Sequence, residues 1–176
     1  FAQLIAPFAM PFVAIASHAD WQRVQRLRLA ALRDSPDAFG STFEDEVQRP
    51  PEWWIDRLQS SGSTTFIAVD PDDAGLAVLG PFLSHHDCGV FAVWVAPAHR
   101  SLGVGDALMK SVIEQARCRG VGRLVLHVGR HNLAAQRLYL RHGFSFTGRQ
   151  SALPPPRSHI LEAELELILG TARLNP

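Results

Sequence analysis

The sequence has no excess of charge of either sign and very little cysteine. Seventeen Lys and Arg residues balance seventeen Asp and Glu residues, which argues against a protein that binds nucleic acid or anionic membranes through its net charge. The two cysteines, Cys88 and Cys118, have neither metal-site nor redox spacing, so free thiols in a reducing cytoplasm are expected. Cys118 is predicted to pack late in a helix. His85, His86 and Asp87 precede Cys88, but four such residues in one turn rarely close a tetrahedral site, and no metal is expected.

Long apolar segments are lacking too. The apolar N-terminus is interrupted by two prolines and has no basic segment before it, whereas crossing a membrane takes roughly 20 apolar residues. No membrane span is therefore expected. The length predicts one domain over residues 1–176. Met10 is a candidate natural start, with residues 1–10 open to interpretation as an extension or a cloning remnant.

The balanced net charge conceals a split along the chain. Residues 1–90 hold six basic and twelve acidic residues, whereas residues 91–150 hold nine basic and two acidic residues. The cationic part suits a polyanionic ligand, although arginines on a solvated helix face would produce the same count.

A strand, a glycine-containing loop and a helix are predicted in succession after Val90. The run VFAVWV is short and rich in β-branched and aromatic residues, which is typical of a buried strand. Arg100, Gly103 and Gly105 follow in the pattern Arg-x-x-Gly-x-Gly, and apolar residues at helical spacing come next. Glycines let a backbone approach an anion, and the first turn of a helix has free N–H groups, so the arrangement indicates a phosphate-binding loop. Glycine also serves merely to turn a chain between a strand and a helix.

With the segment that follows, the stretch Val90–Gly148 resembles the GNAT superfamily of N-acetyltransferases. The resemblance rests on the Arg-x-x-Gly-x-Gly loop after a strand ending Val-x-Pro, and on residues at the family's spacing further on: Asn132, Ala135, Leu138, Tyr139, Gly143 and Phe144. Ser101 departs from the family pattern, because that position usually holds glycine. Its side chain must point away from the phosphates or bond to them.

The predicted fold class is α/β, a GNAT-type mixed and mostly antiparallel seven-stranded sheet flanked by helices on both faces. Ser17 and Asp20 predict the start of a first helix by a capping box, and Pro50 and Pro51 predict the start of a second. Strands are expected to begin near Phe12, Thr64, Leu76, Val90, Leu124, Phe144 and Leu161. The resemblance implies that the sheet splays open between the fourth and fifth strands.

The resemblance implies acetyl transfer from acetyl-CoA to a primary amine of a small molecule or a protein N-terminus, by direct attack and without metal. A non-catalytic acyl-CoA-binding module and a partner-binding domain without cofactor are the alternatives. Acetyl-CoA and an amine acceptor are the expected partners, and the assembly is a monomer or a homodimer. By the same resemblance the cofactor-binding residues are Val93, Val95, Arg100, Ser101, Leu102, Gly103, Val104, Gly105 and Asn132. Asn132 is also a preferred N-cap residue.

Two residues are candidates for proton transfer. Tyr139, the one tyrosine in the chain, falls where the family has the tyrosine that protonates the leaving thiolate. A phenol with an ordinary pKa of about 10 is a weaker acid than a thiol at about 8.5, so a hydrogen bond is expected to do much of the work unless the site lowers the phenol's pKa. His127 lies where the ribosomal-protein alanine acetyltransferase branch has a catalytic glutamate, and an imidazole could accept the ammonium proton. The alternatives are packing of the tyrosine ring, a structural strand histidine, and Glu44 or Glu46 as the base.

The stretch Asp34–Asp56 has seven acidic residues and one basic residue, Arg49. The resemblance places it along the acceptor side of the splay, where Phe43, Glu44 and Glu46 are the predicted acceptor-binding residues. An anionic rim concentrates cations, which predicts a cationic or amine acceptor. Solvated carboxylates on a helix face would have the same sequence pattern.

Overall fold

A computed structural model describes residues 11–69, 72–82 and 87–170. Within these ranges the chain forms seven strands and five α-helices. The strands are β1 Phe12–Ile15, β2 Thr64–Val69, β3 Asp73–Pro81, β4 Asp87–Val95, β5 Arg123–Gly129, β6 Ser145–Ala152 and β7 Leu161–Ile168. The helices are α1 Trp21–Asp34, α2 Phe43–Val47, α3 Pro51–Gln59, α4 Val104–Cys118 and α5 Leu133–Arg141.

The strands form one sheet in the order β1-β2-β3-β4-β5-β7-β6. Neighbouring strands are antiparallel except β4 and β5, which are parallel. In the described residues, β4 and β5 pair only from Asp87 and Arg123 to Gly89 and Val125, and they diverge beyond that point. The mixed, mostly antiparallel seven-stranded sheet and its splay between β4 and β5 are confirmed.

A β-bulge lies in β4 between Phe91 and Trp94, a few residues after the last pair with β5 at Gly89. Val78 of β3 pairs with Phe91 of β4, whereas Leu76 pairs with Trp94, so β4 contains an extra residue. Ala92 has φ +53°, in the left-handed region that non-glycine residues seldom occupy. A bulge bends its strand and increases the local twist. The bend in β4 therefore falls where the splay begins.

Helices cover both faces of the sheet. In β2 the alternate residues Phe66 and Ala68 belong to the core beneath α4, whereas Ile67 packs with α1, because successive side chains of a strand point to opposite faces. The buried face of α4 consists of Val104, Leu108, Met109, Val112, Ile113 and Ala116, and that of α1 includes Val24, Leu27, Ala31 and Leu32. Both sets have the three- and four-residue spacing of an amphipathic helix.

The predicted helix starts are confirmed. The Ser17 backbone N–H donates to Asp20 Oδ2 at 2.9 Å ahead of α1, and α3 begins at Pro51. Between α1 and α3 the chain also forms the short helix α2, whose N-terminus is capped by the Thr42 side chain, which accepts a hydrogen bond from the Asp45 backbone N–H at 3.2 Å. The fourth strand begins at Asp87 rather than at Val90, because it pairs with β5.

The two cysteines are unpaired and differ in environment. Cys88 is buried, and burial raises the pKa of its thiol. The prediction that Cys118 packs in its helix is wrong, because its side chain is exposed. His85, His86, the tip of the β2–β3 hairpin and residues 1–10 lie outside the described residues. None of the described helices combines the length and the apolar character that crossing a membrane requires.

Candidate active site

Two cavities meet at the splay. The first, here called the central cavity, has a volume of about 600 Å³ and is lined by the segment 38–41, by β4 and by the end of β5. The second, here called the loop groove, has a volume of about 450 Å³ and lies between the end of β4, the start of α4 and α5. Both are lined by Ala38, Phe39, Val93, Asn132, Ala135 and Tyr139. Two molecules bound in the two cavities would therefore meet at Val93 and Tyr139.

The Arg-x-x-Gly-x-Gly loop forms one wall of the loop groove. Gly103 has φ +85°, and a Cβ built there would meet no atom within 4 Å, so the space beside it is open. At Gly105 a Cβ would lie 3.2 Å from Leu138 Cδ2, so this glycine lets α4 approach α5 closely. Ser101 has φ +63°, which is a physical reason for the glycine that the family has at this position.

Replacing Ser101 with glycine is expected to raise the free energy of unfolding by about 0.5–1 kcal/mol, because relief of the left-handed strain exceeds the added chain entropy of glycine. Urea unfolding of the purified variant measures the change. Ser101→Ala is the matched control, since it removes the hydroxyl and keeps the Cβ, and it should show no gain. A glycine variant no more stable than the alanine variant contradicts the strain at this position.

Arg100 is held by the protein itself. Its Nε donates to the Val95 carbonyl oxygen at 3.1 Å, and its Nη2 forms an ion pair with Asp34. The Trp94 indole N–H also donates to Asp34 Oδ2, at 2.9 Å. Burial alone would raise the pKa of Asp34, but hydrogen bonds from Ser35, Trp94 and Arg100 hold it below its ordinary value. The predicted phosphate-binding charge of Arg100 is therefore neutralised by α1.

The other predicted cofactor-binding residues divide into two groups. Val93, Val95, Ser101, Gly103, Gly105 and Asn132 line the loop groove. The Leu102 side chain is exposed and Val104 packs in the core beneath α4, so neither side chain lines the groove. The Asn132 Oδ1 accepts a hydrogen bond from the Ala135 backbone N–H at 3.1 Å, which confirms the predicted cap of α5. Arg137, which the sequence did not single out, also lines this groove.

Tyr139 lies at the junction of the two cavities. Its side chain is buried, and its ring packs against Phe144 with 6.0 Å between the ring centroids. Burial raises the pKa of Tyr139 above its ordinary value of 10.0. The site therefore does not lower the phenol's pKa, and Tyr139 is protonated at neutral pH.

His127 lines the central cavity and lies beside a carboxylate of the neighbouring strand. It lies opposite Glu164 of β7, with 3.5 Å between His127 Nε2 and Glu164 Oε2. Glu164 is buried and accepts a hydrogen bond from Arg149 Nε at 2.7 Å. This bond, more than any other contact, lowers the pKa of Glu164 below its ordinary value. Glu164 was missed in the sequence because its pairing with His127 depends on the register of β5 and β7.

Of the predicted acceptor-binding residues, only Glu46 lines the central cavity. Arg28 Nη2 lies 2.8 Å from Glu46 Oε1, and the Ser41 hydroxyl also donates to this carboxylate. Burial alone would raise the pKa of Glu46, but these hydrogen bonds and the charge of Arg28 hold it below its ordinary value of 4.5. Its charge is therefore compensated inside the protein, which leaves it a poor base and no part of an anionic rim.

Phe43 and Glu44 line a separate surface depression that borders α1 and includes Arg157. The Arg33 guanidinium carbon lies 4.0 Å from the centroid of the Phe43 ring. The structure therefore does not bring these two residues to the central cavity, where an acceptor would meet Tyr139.

Comparison with known families identifies the class. Residues 24–144 match the model of the acetyltransferase (GNAT) family. The chain belongs to this family.

Among curated proteins, the chain is similar to streptothricin acetyltransferase of Streptomyces lavendulae, at 37% identity over 120 residues. The match covers 67% of this chain and 59% of that relative, so the chain spans less than two thirds of the relative's length.

Solved structures share the fold. The ribosomal-protein-alanine N-acetyltransferase of Brucella melitensis has a TM-score of 0.76 at 23% identity, over 90% of this chain and 99% of the other. The protein yncA of Salmonella typhimurium, solved with its cofactor acetyl-CoA, has a TM-score of 0.74 at 23% identity, over 92% and 95%.

Proposed function

We propose that this protein transfers an acetyl group from acetyl-CoA to a primary amine by direct attack. The observation that carries the proposal is the meeting of two cavities at the splay, with Tyr139 and Val93 on the wall of both. An acyl donor in one cavity and an amine in the other would bring the reacting atoms together at this junction. Membership of the acetyltransferase family supports the same activity. For the location of the protein we propose the cytoplasm, which the two unpaired cysteines support.

The loop groove suits the acyl donor. The open space beside Gly103 admits a phosphate to the N-terminus of α4, where free N–H groups and the helix dipole favour an anion. Ser101 and Arg137 line the same groove. Beyond Gly89 the edge of β4 has no pairing with β5 in the described residues, which leaves main-chain groups near Val93 for an extended arm. Acetyl-CoA bound there would supply the acetyl thioester.

Two side chains of the chain would handle the protons. The amine nitrogen bonds to the acetyl carbon while the carbon–sulfur bond breaks, so one proton leaves the nitrogen and one reaches the sulfur. His127 lines the central cavity and would take the proton from nitrogen, and the Glu164 carboxylate 3.5 Å from its ring would balance the charge of the imidazolium that forms. Tyr139 would donate a hydrogen bond to the departing sulfur. Because its pKa is raised, the phenol donates a hydrogen bond to the sulfur without losing its proton, and water supplies the proton that the thiolate takes up.

A thiol-release screen tests this function. The protein is mixed with acetyl-CoA and a panel of amines that covers amino acids, polyamines, aminoglycosides and peptide N-termini, and free thiol is measured. Release that depends on both the protein and an amine is expected for at least one class. A chain that binds acetyl-CoA and releases no thiol with any amine is a non-catalytic acyl-CoA-binding module. If acetyl-CoA causes no thermal shift, the cofactor assignment itself is wrong.

Replacing His127 with alanine is expected to lower the rate about 100-fold or more near neutral pH, the usual effect of losing a general base. The deficit should shrink as the pH rises, because solvent then deprotonates a growing share of the amine. Rates of thiol release from pH 6 to 10 measure the effect. The exposed His18, far along the chain from the splay, is the control, and His18→Ala should match the wild type. A deficit that is constant across this range contradicts a role in taking the proton.

A further inference from the structure

The central cavity continues into a side compartment of about 220 Å³ on the β2–β3 side of β4. The compartment and the central cavity share the residues Arg28, Arg57, Ser63, Val78 and Ala92. Val78 belongs to β3 and Ala92 to the bulge of β4, so the compartment opens from the wall of the central cavity that lies away from His127.

Several polar groups of this compartment have no partner in the part of the chain that the structure describes. Trp54 is 2% exposed, and its indole N–H has no hydrogen-bond acceptor. Thr65 is 8% exposed, and its hydroxyl makes no hydrogen bond to a described residue. The hydroxyls of the half-buried Ser63 and the exposed Ser60 also have no described partner, but they are open to water. Buried polar groups are ordinarily paired. Of these groups only Trp54 and Thr65 belong to buried residues, and these two indicate that the compartment suits a ligand that accepts hydrogen bonds.

The charge of the compartment points to an anion. The Arg57 guanidinium carbon lies 4.7 Å from the centroid of the Trp53 ring, and no carboxylate of the described residues lies within salt-bridge distance of it. The second cation, Arg28, is neutralised by Glu46. No acidic residue lines the compartment. The Glu46 carboxylate acts on Arg28 and on the exposed Arg57, but one carboxylate balances only one guanidinium, so the compartment keeps a net positive charge.

The wall of the central cavity on the β7 side carries negative charge, in contrast to the cationic side compartment. Glu162 lines it from β7, and its carboxylate is contacted by the Ser151 hydroxyl at 3.5 Å rather than by a cation. His127 of β5 pairs with Glu164, which lies two residues beyond Glu162 on β7. The cavity therefore runs from an acidic wall beside the proposed base to a cationic side compartment. This is the arrangement that fits a molecule with an ammonium group at one end and an anion at the other.

We infer that the acceptor carries a carboxylate as well as its amine, and that Arg57 binds this carboxylate together with Ser63 and Thr65. The inference rests on the proposed acetyl transfer for the role of the amine. A planar guanidinium matches a carboxylate with two parallel hydrogen bonds. The compartment thus selects amino-acid-like acceptors, rather than the polycations that an anionic rim would select.

The test compares matched acceptors. Unbranched amino acids from glycine to 6-aminohexanoate are measured against the corresponding carboxamides, with spermidine as the polycation, by thiol release from acetyl-CoA. The amino acid of best-fitting length should have a kcat/KM about 10- to 100-fold above its amide, the effect expected of one charged hydrogen-bonded pair. Arg57→Gln should lower kcat/KM for the amino acids to that of their amides and so remove this preference. Arg49→Gln is the matched control, because Arg49 also stacks on Trp53 and lies outside the compartment.

The outcomes separate the two proposals. Turnover of amides and spermidine equal to that of the amino acids, or an unchanged preference in Arg57→Gln, overturns the carboxylate site and leaves acetyl transfer intact. If no amine releases thiol, the proposed acetyl transfer is wrong. The carboxylate site is then tested by itself, by the thermal shifts that the amino acids and their amides cause in the absence of acetyl-CoA. Stabilisation by the amino acids over their amides in the wild type, lost in Arg57→Gln and kept in Arg49→Gln, supports the site. Equal shifts overturn it.

Discussion

Replacing Tyr139 with phenylalanine is expected to lower turnover about 100-fold, at the lower end of the range for general acids, with little change in acetyl-CoA affinity. The substitution removes one hydroxyl from the junction of the two cavities and keeps the ring that packs on Phe144. We expect an effect at the lower end of this range because burial raises the pKa of Tyr139. Tyr139 then contributes a hydrogen bond to the sulfur rather than complete transfer of its proton. Steady-state turnover and a direct binding measurement for acetyl-CoA separate the two effects.

The pH dependence of turnover is a second test of the role of Tyr139. Because the pKa of Tyr139 is raised above 10.0, the phenol stays protonated and no alkaline loss of activity below about pH 10 should come from it. Phe144→Leu is the control for packing, since it alters the neighbouring ring and leaves the hydroxyl in place, and it should keep most of the turnover. Turnover of Tyr139→Phe equal to the wild type at every pH means that the residue only packs.

Replacing Glu46 with alanine is expected to lower the free energy of unfolding by about 3–5 kcal/mol, because it leaves a buried guanidinium without its partner. The side chains of Arg28 and Glu46 are 10% and 5% exposed. Each kcal/mol should lower the melting temperature by about 2–4 °C in a chain of this size. Glu44→Ala, two residues away on the same short helix and exposed, should change stability by less than about 0.5 kcal/mol.

Two further measurements test whether the broken ion pair causes the loss of stability in Glu46→Ala. The double variant Arg28→Met, Glu46→Leu should recover most of the loss, since apolar residues of similar size often replace a buried ion pair at no net cost. The Glu46 carboxylate has a lowered pKa in the folded protein, so it stabilises the fold above its ordinary value of 4.5 and loses this effect as the pH falls through the folded value. The difference in free energy of unfolding between the wild type and Glu46→Gln should therefore become smaller at acidic pH. A Glu46→Ala variant as stable as Glu44→Ala contradicts the ion pair.

Substitutions of Glu46 change the stability of the fold as well as its charge. A double substitution of Glu44 and Glu46 would test an anionic rim poorly, because Glu46 supports the segment 38–46 through Arg28 and Ser41. Arg57 and Arg49 both contact the Trp53 ring, and substituting either one changes the charge without breaking a buried ion pair. They are therefore the sharper probes of acceptor charge.

The features that the sequence by itself determined are local ones. Asn132 caps α5, Pro51 opens α3, and Gly103 precedes α4, because caps, prolines and glycines act on dihedral angles within one turn of chain. Two local motifs at the family's spacing were enough to predict the splayed sheet. The splay itself follows from the order and pairing of the strands, which the resemblance supplied and the residues alone did not.

Only the tertiary structure decided which charges remain free. Arg100 is neutralised by Asp34, and Glu46 by Arg28, across 66 and 18 residues of sequence. Glu164 reaches His127 through the register of β5 and β7. Such pairs form between segments that folding brings together. For Glu164 and His127 a one-residue shift in register would turn the carboxylate to the other face of the sheet. The count of acidic residues between Asp34 and Asp56 is therefore a property of the sequence, whereas the charge that an acceptor meets is a property of the fold.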